Sequence, residues 1–562
     1  MKKYNILISL LAVFCLVGCN QQSGNSGSQK PADESKLVIE DYGTVKFEAE
    51  KFNSESWTPD STYGGLKVIQ ESKASGGAYL AAGSPKSAGT CKFSFELKKN
   101  SKVTFSAAYA QTEDWLEVDC EIDKTYVFEV ESVSSFSLPS GKNVLKARAS
   151  DTTWTLMDYN PEELYAGTYN VTLRIDENTP SGCPSIDYVQ FKTVDPSYVP
   201  VDPSTVTEDD IPDNDMRNLQ QYKYVLEEDV YKYKTYATGA DLSAPRGMKL
   251  RYEELSGSGP FYFQVATSEA DLANAPVRQS SSNVLTFHNA LLDTKYFYRA
   301  ATSEAGLSSA AIKNITSTAQ APRVVYVPDV LNFRDIGGWE SSLVPGAKIK
   351  QGLYFRCAQL DAAQGSTTSK LDSAGKGLAA LKELGIKCDI DMRDIGNQPN
   401  RGAGPSKANT ADWPFTFVSA AVPSGSEPVR WEGGTYQGTN IAEQYVKIFN
   451  ALANCDKEPA LLHCTYGADR TGIATFFLES LLGMSEEDMT KDYLCTQFTQ
   501  GRNVKIQESE GAEFPQWISK TEACEGATFA DKMENHLISF GIEKAKLENI
   551  REIFVPGYVA QA

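Results

Sequence analysis

The sequence predicts a multidomain protein, with two β-sandwich domains followed by an α/β domain that has a mostly parallel central sheet. The chain has 562 residues, 41% of them hydrophobic, which is enough for several separate cores. Up to about residue 320, short segments of alternating polar and apolar residues lie between turn clusters, as in all-β domains. After residue 320, helical patterns alternate with short buried strands, as a parallel sheet requires.

The N-terminus has the pattern of an export signal. Two lysines precede the apolar run Ile6 to Val17, which is too short to span a bilayer. The run leads into Leu-Val-Gly-Cys19, which resembles the cleavage box of bacterial lipoproteins, and this resemblance implies that Cys19 is lipidated. We therefore expect residues 1–19 to be a lipoprotein signal, with an ordinary secretory signal as the alternative. Residues 20–39 are expected to be a flexible tether, and the protein to be exported and lipid-anchored at the membrane of a bacterial cell envelope.

The charge balance and the cysteine and histidine content limit the classes of function. With 54 basic and 73 acidic residues, the formal net charge is −19. Nucleic acid and anionic lipid surfaces repel such a chain, so no nucleic-acid partner is expected. The eleven cysteines lack the paired spacing of a disulfide framework or a zinc site, and only three histidines are present. No cofactor is therefore expected for catalysis.

Residues 40–195 are predicted to form the first β-sandwich. Alternating segments include Val45–Glu50, Cys91–Leu97, Lys102–Ala107 and Tyr169–Ile175. Together with Gly76-Gly-Ala-Tyr-Leu80 and Ser185-Ile-Asp-Tyr-Val-Gln-Phe191, they resemble jelly-roll carbohydrate-binding modules. The resemblance implies a glycan partner and a structural calcium ion, for which the candidate ligands are Glu48, Glu50 and Asp187. Solvated carboxylates are the alternative. Trp57, Trp115 and Trp154 are candidates for stacking on sugars, with core packing as the alternative.

A linker and a second β unit are expected next. Residues 196–215 contain several prolines and acidic residues, which is typical of a domain boundary. In residues 216–320, the segment Leu291 to Ala300 has an apolar turn leading into an alternating Tyr-x-Tyr strand, which resembles fibronectin type III or immunoglobulin-like sandwiches. We interpret this unit as a spacer.

Residues 321–562 carry the alternating pattern of an α/β domain. Strands are predicted at Ile386–Met392, Phe415–Val422 and Pro459–Leu462, and helices at Gly375–Leu384, Ile441–Ala453, Thr471–Leu482, Glu486–Phe498, Phe529–Phe540 and Glu543–Ile553.

The most informative stretch lies between a strand and a helix, from Cys464 to Thr471. A loop in this context directs backbone N–H groups and the positive end of the helix into one concavity, which favours a phosphate and a thiolate. Cys464 is therefore the candidate nucleophile. Arg470 can hold two phosphoryl oxygens with its planar fork, Gly467 permits the tight turn, and Thr471 is placed to hydrogen-bond the sulfur.

The order His-Cys-x-x-Gly-x-x-Arg-Thr resembles the signature of the cysteine-dependent protein tyrosine phosphatases. Asn332-Phe-Arg-Asp-Ile-Gly-Gly338 and Leu353-Tyr-Phe-Arg-Cys-Ala-Gln-Leu360 resemble the opening of the bacterial branch with an Asp-Arg-Thr loop, so the resemblance covers about residues 322–562. It implies a cysteinyl-phosphate intermediate. The residues implied to bind or support the substrate are Thr465, Tyr466, Gly467, Ala468, Arg334, Asp335 and Arg356. For Arg334 and Asp335, the alternative is an ion pair that pins a turn.

Three aspartates compete for the role of general acid, which must protonate the leaving group. Asp469 is favoured because relatives with an Asp-Arg-Thr loop place the acid there; its alternative role is to orient Arg470 or cap the helix. Asp394 and Asp412 are the other candidates.

The function expected from these observations is phosphomonoester hydrolysis, with a phosphorylated protein or a small phosphomonoester as substrate. A protein tyrosine or dual-specificity phosphatase is favoured because the neutral Ala468 supplies no second cation for polyphosphates. One alternative is a sugar- or inositol-phosphate phosphatase. Another is a glycan-binding surface lipoprotein with a degenerate phosphatase domain.

Overall fold

The structure is a computed structural model. It describes residues 36–40, 42–52, 66–70, 78–82, 89–110, 120–121, 126–131, 144–145, 155–158, 162–175, 185–197, 201–227, 235–237, 241–360, 376–393, 414–499 and 513–560. Among these residues, no helix combines the length and apolarity needed to cross a membrane.

The first unit is a β-sandwich. Its strands are β1 (Lys36–Ile39), β2 (Gly43–Glu48), β3 (Leu66–Gln70), β4 (Ala78–Ala82), β5 (Gly89–Leu97), β6 (Ser101–Ala110), β7 (Cys120–Glu121), β8 (Tyr126–Glu131), β9 (Val144–Leu145), β10 (Thr155–Asp158), β11 (Glu162–Leu164), β12 (Gly167–Ile175) and β13 (Ser185–Val194). One sheet has the order β1-β5-β12-β8 and the other contains β10-β6-β13-β4-β3, with β2 on β13 and β11 on β6. The rings of Phe95 and Phe191, one from each sheet, lie 4.7 Å apart, so the sheets pack face to face.

The structure corrects one boundary of the predicted tether, because residues 36–39 form β1. This strand pairs in parallel with β5, and Ile39 is buried. The alternation of Leu37 and Ile39 with polar or exposed neighbours explains why this end of the tether joins the sheet.

The segment between the sandwiches is more ordered than a linker. Residues 201–215 contain two short 3₁₀ helices, and the side chains of Val206 and Ile211 are buried. Helix α1 (Leu219–Leu226) follows and was not predicted. Asn218 and Gln221 form its capping box, a signal that the sequence contains but that the β-rich surroundings concealed.

The second unit is also built from two sheets. Its strands are β14 (Met248–Arg251), β15 (Phe261–Ala266), β16 (Arg278–Ser280), β17 (Val284–Phe287), β18 (Lys295–Ala301) and β19 (Lys313–Thr316). Strands β14 and β17 form one sheet, and β16-β15-β18-β19 form the other.

The interpretation of this second unit as a spacer is wrong. Its buried residues and those of the following domain form one continuous apolar core. The backbone N–H of Leu292 donates to Gln351 Oε1 at 2.7 Å, and Arg323 Nε donates to the carbonyl oxygen of Ala290 at 3.0 Å. A spacer would leave these surfaces to water, whereas here removing either partner would expose apolar area.

The third unit has a six-stranded sheet of order β20-β21-β22-β27-β23-β24, in which β22, β27, β23 and β24 run parallel. The strands are β20 (Arg323–Val324), β21 (Arg334–Asp335), β22 (Tyr354–Cys357), β23 (Cys388–Asp391), β24 (Thr416–Ser419), the small hairpin β25 (Thr435–Tyr436) and β26 (Thr439–Asn440), and β27 (Ala460–His463).

The helices of this unit surround the sheet. They are α2 (Lys376–Glu383), α3 (Glu427–Arg430), α4 (Ile441–Leu452), α5 (Asp469–Leu481), α6 (Glu486–Leu494), α7 (Phe514–Glu522), α8 (Phe529–Ser539) and α9 (Lys544–Phe554), with a 3₁₀ turn at Cys495–Phe498 after α6. The predicted helices correspond to α2, α4, α5, α6, α8 and α9, whereas α3 and α7 were not predicted. In both helices, a proline lies in the first turn. Proline in a sequence usually indicates the end of a helix, but the first turn of a helix accommodates it.

Candidate active site

The site lies where β27 ends and α5 begins, at the carboxyl edge of the parallel strands. Residues 460–463 are buried, and α5 is buried along its length from Arg470 onward, so both elements are held inside the domain. Gly467 has φ +66°, and a Cβ there would lie 2.3 Å from the carbonyl oxygen of Cys357. Only glycine therefore fits this turn, as the sequence predicted.

Cys464 lies at the base of the turn and is 2% exposed. Burial alone would raise the pKa of its thiol, but the Arg470 charge and the hydroxyl and backbone N–H of Thr471 lower the pKa to about 7. The Thr471 hydroxyl is buried beside the sulfur and favours its thiolate form. The thiol is thus converted to a nucleophilic thiolate near neutral pH.

Arg470 is held by the ends of the neighbouring strands. Its Nη1 donates to the carbonyl oxygens of Val422 at 3.0 Å and Met392 at 3.3 Å, and its Nη2 donates to Thr465 Oγ1 at 3.1 Å. Arg470 as a whole is 7% exposed. A charged fork fixed in this way needs little reorganisation to receive an anion.

His463, directly before the cysteine, is buried between two aspartates. Its Nε2 lies 3.0 Å from Asp389 Oδ1, and its Nδ1 lies 3.8 Å from Asp391 Oδ1. Burial lowers the pKa of the imidazole, but the two carboxylates outweigh it and raise the pKa to about 9. Asp391 also accepts from Arg393 Nη2 at 2.7 Å. The two carboxylates are thus matched by the charges of His463 and Arg393. Period-two alternation puts Asp389 and Asp391 on one face of β23, and this spacing is visible in the sequence.

The remaining predicted loop residues differ in exposure. Thr465, Tyr466 and Asp469 are half-buried, whereas Ala468 has no exposed surface. Asp469 is the first residue of α5, and its charge acts on Cys464 by raising the thiol pKa. Of the three candidate acids, Asp469 is thus close enough to Cys464 to affect its pKa, while Asp394 and Asp412 lie outside the described residues.

Asp335 and Arg334, which were predicted to bind or support the substrate, are both buried and ion-paired. Asp335 accepts from Arg323 Nη1 at 2.5 Å and from the backbone N–H groups of Gly337 at 2.8 Å and Gly352 at 2.6 Å. It is fully buried and pairs with Arg323, whereas Arg334 pairs with Asp492, so the alternative in which Arg334 and Asp335 form an ion pair with each other is wrong. A carboxylate in a dry core needs such partners.

Arg334 is 1% exposed and lies beneath the loop. It donates to Asp492 and to the side-chain oxygen of Asn332, while Arg356 donates to Asp492 and to the carbonyl oxygen of Gly467. Asn332 and Asp492 were missed as supporting residues. Asn332 has φ +57°, for which asparagine is one of the few suitable residues, but nothing local marks Asp492.

The lipid and metal predictions fall mainly outside the described residues. Cys19 and the three tryptophans of the first unit lie outside them, as do the side chains of Glu50 and Asp187. The backbone pairs Glu48 with Tyr188, the neighbour of Asp187. Within the described part of the chain, no group of three or more His, Cys, Asp or Glu residues is placed to hold a metal ion. The calcium site therefore stays a prediction.

Comparison with known proteins finds a family model that matches the third unit. Residues 325–554 match the profile of a family described as "Tyrosine phosphatase family". Over 175 residues, which is 29% of this chain, the sequence is 27% identical to a protein of Cupriavidus necator named "Putative tyrosine-protein phosphatase". The chain spans 60% of that relative's length.

Solved structures similar to this chain include carbohydrate-binding modules. A family 35 carbohydrate binding module from Clostridium thermocellum is 14% identical, covers 26% of this chain and 96% of its own, and has a TM-score of 0.18. A β-(1,4)-mannanase from Podospora anserina that contains such a module is 14% identical, covers 33% of this chain and 39% of its own, and has a TM-score of 0.19. TM-scores this low carry no argument about glycan binding.

Proposed function

We propose that residues 325–554, a domain that matches the tyrosine phosphatase family, hydrolyse phosphomonoesters through a cysteinyl-phosphate intermediate. The observation that carries the proposal is the Cys464 thiol at the start of the β27–α5 turn, where Arg470 and Thr471 lower its pKa to about 7 despite its burial. A substantial fraction of such a thiol is in the reactive thiolate form at neutral pH, and Arg470 lies beside it.

In the first step, the Cys464 thiolate attacks the phosphorus atom. An S–P bond forms, the P–O bond to the leaving group breaks, and the leaving oxygen takes a proton from the Asp469 carboxyl group. Arg470 holds two of the non-bridging oxygens through parallel hydrogen bonds, which stabilises the charge that spreads over the phosphoryl group.

In the second step, water attacks the phosphorus of the cysteinyl phosphate. Asp469, now a carboxylate, takes the proton from this water, and the P–S bond breaks. The sulfur leaves as a thiolate, which the Arg470 charge and the Thr471 hydroxyl stabilise, as they do in the resting site. Inorganic phosphate is released, and the site returns to its starting protonation state.

The proposed substrate is a monophosphate on an aromatic oxygen, with phosphotyrosine in a protein preferred over inositol polyphosphates. Support comes from the name of the C. necator relative and from the half-buried Tyr466 in the loop, a residue type that packs against aromatic groups. Residues 461–469 contain no lysine or arginine, and the nearby Arg393 is paired with Asp391. A second phosphate would therefore find little positive charge.

The proposal includes the setting of the enzyme. The signal pattern that ends at Cys19 supports an exported, lipid-anchored protein of the bacterial cell envelope. Glycan and calcium binding by the first sandwich rest on the sequence resemblance, so they are proposals of the same kind. A phosphatase held at an envelope surface would act on exported phosphoproteins or on small exported phosphomonoesters.

The test uses Cys464→Ser, with Cys524→Ser as the matched control. Serine stays protonated in the loop, so turnover of a phosphotyrosine peptide should fall below detection while the peptide still binds. Cys524 is half-buried at the end of α7 and donates to the Lys520 carbonyl oxygen, so its replacement should leave turnover near that of the wild type. Normal turnover in Cys464→Ser would exclude the mechanism.

A further inference from the structure

One fully buried carboxylate lies beneath the loop and takes no part in the chemistry. Asp492, on α6, accepts from Arg334 Nε at 2.8 Å and Nη2 at 3.2 Å, and from Arg356 Nη1 at 2.8 Å. Its backbone carbonyl also accepts from Arg334 Nη2 at 2.9 Å. The two arginines are opposite each other on the paired strands β21 and β22, so a single carboxylate clamps both.

Both arginines are also connected by hydrogen bonds to the loop between β27 and α5. Arg356 Nη2 donates to the carbonyl oxygen of Gly467 at 2.9 Å. Arg334 Nη1 donates to Asn332 Oδ1, and Asn332 Nδ2 donates to the carbonyl oxygens of Tyr466 at 3.0 Å and Gly467 at 3.2 Å. Two successive loop carbonyls are thus held from below by side chains that Asp492 connects.

This arrangement decides which way the loop amides point. In a planar trans peptide, the carbonyl and the following N–H point in opposite directions. Because the Tyr466 and Gly467 carbonyls are anchored beneath the loop, the N–H groups of Gly467 and Ala468 turn to the opposite side. Donors aimed at an anion and acceptors aimed away from it are what a phosphate site requires.

The charge of the buried cluster favours an anion as well. Burial, followed by the charge of Asp492, raises the pKa of Glu479 well above its ordinary value, which favours the neutral form of Glu479. Two guanidinium groups, from Arg334 and Arg356, then face one carboxylate. These guanidinium groups lie beneath the loop, in surroundings where water screens their charge little.

We propose that Asp492 is a positioning residue of the phosphate loop, which acts through Arg334 and Arg356 to hold the Tyr466 and Gly467 carbonyls away from the phosphate. The inference rests on the proposed function. The quantity to measure is the affinity of the loop for an oxyanion. A residue that serves stability alone would not change this affinity in protein that remains folded.

The experiment compares the full-length wild type with Asp492→Asn. Asparagine has the shape of aspartate but no charge. Its NH₂ group replaces one carboxylate oxygen and cannot accept a hydrogen bond from an arginine. The Ki for vanadate and the Kd for inorganic phosphate should each rise on the order of tenfold, with kcat falling by a similar factor, in protein that is folded at the assay temperature.

The matched control is Glu534→Gln. Glu534 is a buried carboxylate that pairs with Arg551, and Arg551 donates to the carbonyl oxygen of Leu481 at the end of α5 far from the loop. Glu534→Gln should lower Tm as Asp492→Asn does, with vanadate Ki and phosphate Kd unchanged. An equal loss of oxyanion affinity in both variants would overturn the positioning role.

A second variant covers the case in which Asp492→Asn does not fold. Asn332→Gly removes the side chain that holds both carbonyls, and glycine accepts its φ of +57°. It should weaken vanadate and phosphate binding by a similar factor, and unchanged affinity would overturn the proposal. A wild type that binds phosphate without turnover would refute only the proposed reaction, while a wild type that binds neither oxyanion would refute both.

Discussion

The hydroxyl of Tyr224 donates a 2.9 Å hydrogen bond to the carbonyl oxygen of Lys491, 267 residues later in the chain. Tyr224 lies on α1, ahead of the second β unit, and Lys491 lies on α6, directly before Asp492. The Tyr224 ring also packs edge-on against Phe498, with ring centres 5.5 Å apart. The segment before the catalytic domain thus braces the helix that supports the active-site loop.

The first prediction follows from this brace and the shared core. A chain of residues 321–562 lacks α1 and the second β unit, so it should expose apolar surface, bind a hydrophobic dye and lose most turnover. A chain of residues 201–562 should remain folded and active. Dye fluorescence, Tm and kcat/KM of the two chains check this prediction. Equal values for the two chains would show that the second unit is only a spacer.

The second prediction concerns the reactivity of Cys464 as a function of pH. Alkylation by iodoacetamide should rise with pH around a midpoint of about 7, since the thiolate reacts and the pKa is lowered to that value. Cys357 and Cys495 should stay unreactive over the same range, because burial raises the pKa of both. Mass spectrometry of the labelled peptides gives each rate, and a midpoint near the ordinary value for Cys464 would contradict the site electrostatics.

The third prediction concerns Asp469 as the general acid. Asp469→Asn should reduce kcat for alkyl phosphates by a factor on the order of a hundred or more, and much less for substrates with acidic phenol leaving groups, which need little protonation. A plot of log kcat against leaving-group pKa should therefore be steeper in the variant than in the wild type. Parallel plots would show that Asp469 only orients neighbouring groups.

The fourth prediction separates the three histidines by NMR. His463 should titrate near 9, because Asp391 and Asp389 outweigh its burial. Burial should lower the pKa of His536 to about 4 and hold that of His288 below its ordinary value. Ring ¹⁵N shifts at pH 7 should then show one imidazolium and two neutral rings.

The raised pKa of His463 also makes the free energy of unfolding depend on pH, in a direction that can be predicted. A folded pKa of about 9 against an unfolded value of 6.5 contributes roughly 3 kcal/mol to the free energy of unfolding. That contribution is fully present below pH 6.5 and is lost as the pH rises through about 9. Urea unfolding of the wild type and of His463→Gln at these two pH values measures this contribution. If the variant had the same pH dependence as the wild type, the raised pKa of His463 would be refuted.

The fifth prediction concerns the N-terminus. Protein expressed with its leader in a bacterial host should partition into the detergent phase, because acyl chains on Cys19 contribute roughly 0.8 kcal/mol per buried methylene. Cys19→Ala should appear in the aqueous phase or remain unprocessed. Wild-type protein released from membranes without detergent would exclude a lipid anchor.

Much of the active site could be predicted because its residues are neighbours in the chain. Cys464, Gly467, Arg470 and Thr471 lie within eight positions of one another, and the strand and helix on either side have their own local patterns. A backbone turn between two regular elements orients such residues with little help from the rest of the fold. The helices α4, α5, α6, α8 and α9 were predicted for the same reason, since their apolar spacing is a local property.

The supporting residues could not be predicted because only the folded chain makes them neighbours. Asp492 meets Arg334 and Arg356 across more than a hundred residues, and Tyr224 meets Lys491 across more than two hundred. A buried carboxylate and a surface carboxylate look alike in a sequence, since burial and partners, not residue type, decide which one clamps a loop. The sequence by itself therefore determined the cysteine and arginine of the candidate site and the order of the units. The tertiary structure decided which charges lie beneath the loop, and that the unit before the catalytic domain shares its core.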